Sequence, residues 1–285
     1  MSEATYKSIA VLGIGTVANP LIKELLANGA SVLVITRPSS KARQIPEGAH
    51  HTAIDYTDAP ALTAAFRKHG VEVVVSTINH GALDAQPPAA EAAKEAGVKL
   101  FVPSEYGPPT AGHTEGIGGM KSRFADFLVA TGLPYTRLYV GVFIDWIPYL
   151  FALDETGKLN IIGEGSSPAT VTAVSDITGF LAYVLTHLPP SQLHNATFRI
   201  QGERKTLREL AALYGDRVPV VDISEFPSSV KNGAPRAVLQ AIFNSGIGST
   251  GFDAAEGKDD EQRAGSSNSL WPGHQWRTVK EVLNL

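Results

Sequence analysis

The 285-residue sequence has no cysteine, which excludes a disulfide framework, a thiol nucleophile and a thiolate metal site together. Its eight histidines never fall in an HxxxH or HExxH spacing, so no metal site is written into them. Long apolar runs are missing as well. The most apolar stretch, LYVGVFIDWIPYLFAL from Leu138, is broken by Asp145 and Pro148 and is shorter than the ~20 residues that cross a bilayer. Neither sign of charge dominates: 24 basic residues stand against 28 acidic ones, for a net charge of −4, and nothing in that balance calls for nucleic acid or an anionic membrane as partner. The start, MSEATYKSIAVLG, lacks the basic, apolar and cleavage regions of a signal peptide. The sequence reads as a soluble, cytoplasmic protein, its oligomeric state unspecified; without a secretory context, the sequon Asn195-Ala-Thr197 is a chance match.

What is present is alternation. Six β-branched runs, SIAVLG, SVLVIT, HTAI, VEVVVSTI, KLFVP and LPYTRLYV, are separated by longer helical segments, the pattern of βαβ units and a parallel sheet. Leu21, Ile22, Leu25 and Leu26 recur at helical spacing before the stop Asn28-Gly29, with Pro20 tolerated in the first turn. Further helices are predicted over residues 58–69, 88–96 and about 119–131, each closed by a glycine. The fold class is α/β: a Rossmann-type doubly wound parallel sheet over residues 1–150, followed by a smaller mixed α/β C-terminal lobe for the substrate over residues 151–285. In that lobe KLNIIG, PATVTAV and ATFRIQG read as strands, a helix starts near Asp176, and Thr206-x-x-Glu209 is a capping box. Residues 244–269, rich in glycine, serine and charge, predict a long surface loop with a solvated acidic cluster, before a last short helix, TVKEVLN.

The first strand runs into VLGIGTVANP, where Gly13-x-Gly15-x-x-Ala18 opens a helix. This is the dinucleotide fingerprint in its expected context: Gly13 for the tight turn, Gly15 for close backbone approach to a pyrophosphate, Ala18 for close helix packing. Thr16 and Val17 complete that loop. After the second strand, where an NAD site carries Asp or Glu for the ribose hydroxyl, the sequence reads TRPSSK. Arg37, with Lys41 behind it, suits a 2′-phosphate and favours NADPH; the competing reading of Arg37 is an ordinary surface arginine. Asp55 is either beside the adenine or a turn residue. Ser76, Thr77 and Ile78 end the fourth strand and Pro103 and Ser104 the fifth, on the crevice side. His80 follows on a loop, as polar surface or as a site residue.

These stretches, IAVLGIGT, VITRPSSK, IDYTD, VVVSTI, LFVPSEYG, the Lys121 helix and LPYTRLYVGVFIDW, come in the order and spacing of the NmrA-like, isoflavone reductase-like branch of the atypical short-chain dehydrogenases, and the sequence resembles that family over roughly residues 7–215. The resemblance implies a Rossmann core, NADPH, a substrate cleft roofed by the C-terminal lobe, and reduction of phenolic or other aromatic secondary metabolites. Other members of the family are NAD(P)-binding regulators, so a non-catalytic sensor is the alternative. The glycine loop departs from the GxxGxxG of many relatives by being one residue shorter.

The Tyr-x-x-x-Lys pair of ordinary short-chain dehydrogenases is absent, because none of the eight tyrosines has a lysine four residues later. Lys121 matches the lysine that isoflavone reductase-like enzymes carry at the start of this helix. A lysine in a first helical turn opposes the macrodipole, and a partly desolvated one can donate a proton near neutral pH; the alternative is a solvated lysine facing outward. Tyr106, Tyr139, Phe143, Trp146 and Phe151 cluster in sequence around the entry to the second lobe, as core or as an apolar wall for a flat aromatic substrate. Met120 and His113 are weaker substrate candidates, and no metal is called for.

Overall fold

A computed structural model describes residues 4–40 and 44–285. Its contacts gather into two compact units that interleave along the chain: residues 1–105, 110–138 and 177–198 form the first, and residues 106–109, 139–176 and 199–285 the second.

The first unit is built on five parallel strands, β1 (Ser8–Leu12), β2 (Ser31–Thr36), β3 (His50–Ala53), β4 (Val73–Ser76) and β5 (Leu100–Val102), in the spatial order β3-β2-β1-β4-β5. Strands covered on both faces must be apolar throughout rather than alternating, and β1, β4 and β5 are buried along nearly their whole length. The register places Ile9 beside Val32 and Val73, and Leu12 beside Ile35 and Ser76. The sixth predicted strand, β6 (Thr136–Tyr139), does not extend this ladder. It pairs with Ala196–Arg199 and touches β5 through a single parallel bridge, Phe101 to Tyr135.

Four helices pack on the strands: α1 (Ala18–Ala27), α2 (Ala59–Lys68), α3 (Gln86–Ala96) and α4 (Gly116–Thr131). Asp58 caps α2 by accepting from the Ala61 amide at 3.0 Å, and Gly97 and Gly132 end α3 and α4 in left-handed geometry. Leu62, Phe66, Ala89, Ala93, Phe101, Phe124 and Leu128 share one apolar core. At ~25 cal/mol per Å2, burying each large side chain there stabilises the fold by roughly 1.5–3 kcal/mol. The chain winds outward from β1 in both directions, so the order reverses between β1 and β4. Ligands bind at such a switch point, beyond the carboxyl ends of the strands.

The second unit is mixed. Val142–Phe143, Ala169–Thr172 and Glu203–Lys205 form a three-stranded sheet, and Leu159–Ile162 runs parallel to Val220–Ile223. The Thr206 capping box forms as predicted, with both reciprocal bonds present. In residues 244–269 the acidic cluster is solvated as expected, with Glu256, Asp260 and Glu261 exposed, but the segment is also anchored inward. Ser249 and Thr250 are fully buried, the Thr250 amide donates to Thr170 Oγ1 at 3.0 Å, and Arg204 holds Ser249 at 3.0 Å and Asp259 at 2.5 Å. A short hairpin of Phe252–Asp253 and Lys258–Asp259 completes the segment. Polar side chains buried against each other hold it, which an apolar pattern cannot reveal.

Candidate active site

The loop between β1 and α1 sits at the switch point. Gly13 adopts φ +114°, and a Cβ there would come within 2.6 Å of Thr77 Oγ1. That hydroxyl donates to the Leu12 carbonyl at 2.7 Å, and the Gly13 amide donates to Ile35 at 2.9 Å, so the turn is clamped between β2 and β4. Only glycine satisfies both the angle and the space. Gly15 is different: its φ is ordinary, and a Cβ would meet nothing within 4 Å. Its bare backbone borders open space, in front of an α1 whose N-cap, Val17, supplies no side-chain bond. Uncapped first-turn N–H groups beside that space fit a pyrophosphate. Thr16 is exposed, while Val17 and Ala18 are buried under the loop.

Arg37 is exposed at the end of β2. The Asp55 carboxylate accepts from the Thr57 amide at 2.9 Å and the Thr57 hydroxyl at 2.8 Å, a local turn that, with a smaller contribution from Arg37, holds its pKa below the usual carboxylate value. Lys41 lies outside the described residues. Across the switch point, Ser76 is buried with its hydroxyl unpartnered, Ile78 is buried, and the Ser104 hydroxyl donates to the Ile78 carbonyl at 2.7 Å. The Ser104 amide in turn donates to Gln86 Oε1 at 2.8 Å, and Pro103 is buried beside it. The loops after β4 and β5 are thereby joined.

Lys121 lies in the same unit, only 6% exposed. The helix α4 begins at Gly116, three residues earlier than predicted, so Lys121 occupies its second turn, and the macrodipole argument, which decays within one turn, loses most of its force. Burial sets its chemistry instead. Desolvation pushes the ammonium pKa down, the Glu105 charge opposes this, and Arg137 adds to it. The Lys121 ammonium donates a short hydrogen bond to the Glu105 backbone carbonyl. His80 sits close enough for Lys121 to lower its pKa, second to the desolvation of its own ring, although His80 keeps an exposed edge. Met120, the neighbour of Lys121, is exposed and lines a groove of about 220 Å3 with Leu83, Pro87, Phe124 and Phe127. His113, before α4, has a buried Nε2 without a hydrogen-bond partner.

The aromatic candidates belong to the second unit. Tyr139 is fully buried with the Arg199 guanidinium 5.2 Å from its ring centre, and Phe151 is also fully buried. Phe143 packs edge-on against Trp146 at 5.0 Å, and Trp146 remains 39% exposed. Tyr106 is half-buried and adopts φ +37°, a left-handed conformation that a tyrosine rarely takes.

Three residues beside Lys121 escape the motif reading: Glu105, Arg137 and Thr110. Glu105 and Arg137 pair at 2.8 Å with side chains 1% and 9% exposed. The available signal was a carboxylate inside VPSEYG and an arginine inside the apolar strand TRLY. Charges in such runs must be paired when buried. Among the described residues no group of three or more His, Asp or Glu could hold a metal, and no helix is long and apolar enough to cross a membrane.

The geometry agrees with what comparison with known proteins finds. A family model described as NAD(P)H-binding matches residues 13–188. Phenylcoumaran benzylic ether reductase 1 of Arabidopsis thaliana is 24% identical, over 98% of this chain and 97% of its own length. The asnovolin J 5′,6′-dehydrogenase of Aspergillus novofumigatus is 27% identical, over 72% of this chain and 67% of its own. Among solved structures, the leucoanthocyanidin reductase–NADPH binary complex from Vitis vinifera superposes with a TM-score of 0.78 at 21% identity, covering 97% of this chain and 98% of that one, which shows the shared fold. The chain belongs to the NAD(P)H-binding family, and its similarity to these reductases supports the isoflavone reductase-like, NmrA-like resemblance.

Proposed function

We propose that this protein is an NADPH-dependent reductase of an aromatic, phenolic or conjugated small molecule, with Lys121 as the proton donor. It is an oxidoreductase and NADPH is its cofactor. The observation that carries the proposal is the buried ammonium of Lys121, lowered in pKa by desolvation, on the carboxyl edge of the same sheet as the clamped glycine loop. A lysine kept at that cost in a family of reductases has a chemical reason to be there.

Gly13, Gly15, Thr16 and Val17 would hold the pyrophosphate against the start of α1, and Arg37 would hold the 2′-phosphate. Nothing acidic stands at the end of β2 to repel that phosphate. Ser76, Thr77, Ile78, Pro103 and Ser104 would line the nicotinamide side, with Asp55 near the adenine. Bound NADPH supplies the hydride. Lys121 would give its proton, directly or through one water, to the oxygen or carbon on which negative charge develops, and the lowered pKa makes that transfer easier near neutral pH. His80 would contact substrate, and Tyr106, Tyr139, Phe143 and Trp146 would be the candidates for meeting its aromatic rings.

The test measures NADPH consumption against a panel of phenolic and conjugated substrates, then repeats it with Lys121→Ala. Turnover is expected to fall ~10²–10⁴-fold, with NADPH affinity within a few-fold of the parent. Lys121→Arg should not restore it, since a guanidinium does not release its proton. Unchanged rates in the alanine variant would remove Lys121 from the mechanism. A protein that binds NADPH and NADP+ alike and turns over none of the panel would be a sensor.

A further inference from the structure

Lys121 is not held by an isolated carbonyl. The residue whose carbonyl accepts from it, Glu105, uses its carboxylate at the same time. Glu105 Oε1 accepts from Arg137 Nε at 2.8 Å, Glu105 Oε2 accepts from the Thr110 hydroxyl at 2.8 Å, and Arg137 Nη2 donates to Thr110 Oγ1 at 2.6 Å. The three side chains close a ring, and all three residues are at least 90% buried. Its members come from two places: Glu105 and Thr110 from the loop between β5 and α4, and Arg137 from β6. A buried ring of this kind costs desolvation and adds little net stability over an apolar packing of similar volume, so it is a device for holding one geometry.

Resting on the reading of Lys121 as the proton donor, we infer that Glu105 is a positioning residue for it: Arg137 and Thr110 lock the Glu105 carboxylate, so that the adjoining carbonyl fixes the ammonium and the carboxylate balances the charge around it. The charged and titratable groups acting on Lys121 are Glu105 and Arg137 from the ring and His80 from the loop after β4. Glu105 favours the protonated lysine, whereas Arg137 and a protonated His80 oppose it. Neutralising the two ring members singly must therefore act in opposite directions, which a purely structural ring would not produce.

The experiment follows turnover against pH in Glu105→Gln, Arg137→Gln and the double variant, at saturating NADPH. The acid must be protonated to act, so activity is lost as pH rises through the Lys121 pKa. In Glu105→Gln that high-pH limb is expected to move down by roughly one unit, and in Arg137→Gln to move up by a similar amount, the size an opposite charge at this range produces. The double variant should return towards the parent. NADPH affinity should stay within a few-fold in all three, because no member of the ring belongs to the glycine loop. Thr110→Val supplies a charge-neutral variant should either single change unfold the protein: kcat is expected to fall about tenfold with KM nearly constant, as for a proton donor held less well. Limbs that stay at the parent pH, or that move the same way in both single variants, would overturn the inference, as would an unchanged kcat in Thr110→Val. Its failure is separable from that of the functional reading. If Lys121→Ala abolishes turnover while the ring variants leave the limb in place, only the positioning role falls.

Discussion

Each of the two units is stabilised internally by a different means. In the first, the strands are apolar runs buried on both faces, and α2, α3 and α4 present Leu62, Phe66, Ala89, Ala93, Phe124 and Leu128 to one core. In the second, the helix Gly233–Asn244 turns a polar stripe inward. Arg236, Gln240 and Asn244, spaced four apart, bind respectively Asp154 and Glu155, the Leu150 and Asn160 carbonyls, and the Ile162 carbonyl. Gln240 is fully buried and also accepts from the Ile162 amide at 2.7 Å. The same helical period that carries apolar residues in α2 carries hydrogen-bonding ones here. Where function needs a rigid nucleotide frame, apolar packing supplies it. Where the chain is irregular, its backbone donors and acceptors are satisfied by named side chains.

This contrast can be broken residue by residue. Arg37→Ala should leave the fold intact and remove charge-assisted bonds worth ~1.5–3 kcal/mol, cutting the preference for NADPH over NADH by roughly ten- to a hundredfold. Paired titrations of both nucleotides check it, and equal affinities in the parent protein would show that Arg37 grips nothing. Gln240→Ala should do the reverse. It strands two carbonyls and an amide in the second unit, so denaturant unfolding should show a loss of about 1–3 kcal/mol with NADPH affinity unaltered. A loss below a few tenths would mean that the polar stripe is incidental.

The smallest effect is the most informative about the site. Lys121→Met keeps the volume of the side chain and removes a buried ammonium whose folded pKa is depressed, so at neutral pH the variant should be the more stable of the two. The sign follows from proton uptake. Between the lowered folded pKa and the ordinary lysine value, the unfolded chain holds more protons, and the stability of the parent rises with pH. The gap between parent and variant is therefore full at neutral pH and closes as pH approaches the ordinary lysine range. Thermal melts across that range measure it.

How far the sequence announces all this depends on which force is at work. The alternation of strands and helices, the fingerprint Gly13-x-Gly15-x-x-Ala18, the helix start near Asp58 and the box at Thr206 were legible, because apolar period and capping chemistry are local. The helix Gly233–Asn244 was not, because its buried stripe reads as solvent-facing. Nor was the Glu105–Arg137–Thr110 ring, because Arg137 lies 32 residues from Glu105 and meets the Glu105–Thr110 pair only when β5 and β6 come together. The start of α4 was placed late because glycines at 116, 118 and 119 argue against a helix that the structure nonetheless begins there. That misplacement made the lysine look like a charge at a helix end, when burial is what distinguishes it.

The central claim is that Lys121 is a buried acid with a lowered pKa and that its proton is the one turnover consumes. The measurement that meets it most directly is an NMR titration of the Lys121 Nζ, assigned with Lys121→Ala, run beside the pH dependence of kcat on the same preparation. The account predicts that the ammonium titrates below the ordinary lysine value and that kcat falls through the same pH. An ammonium that titrates in the ordinary lysine range, or a rate that falls at a pH unrelated to it, would contradict the account.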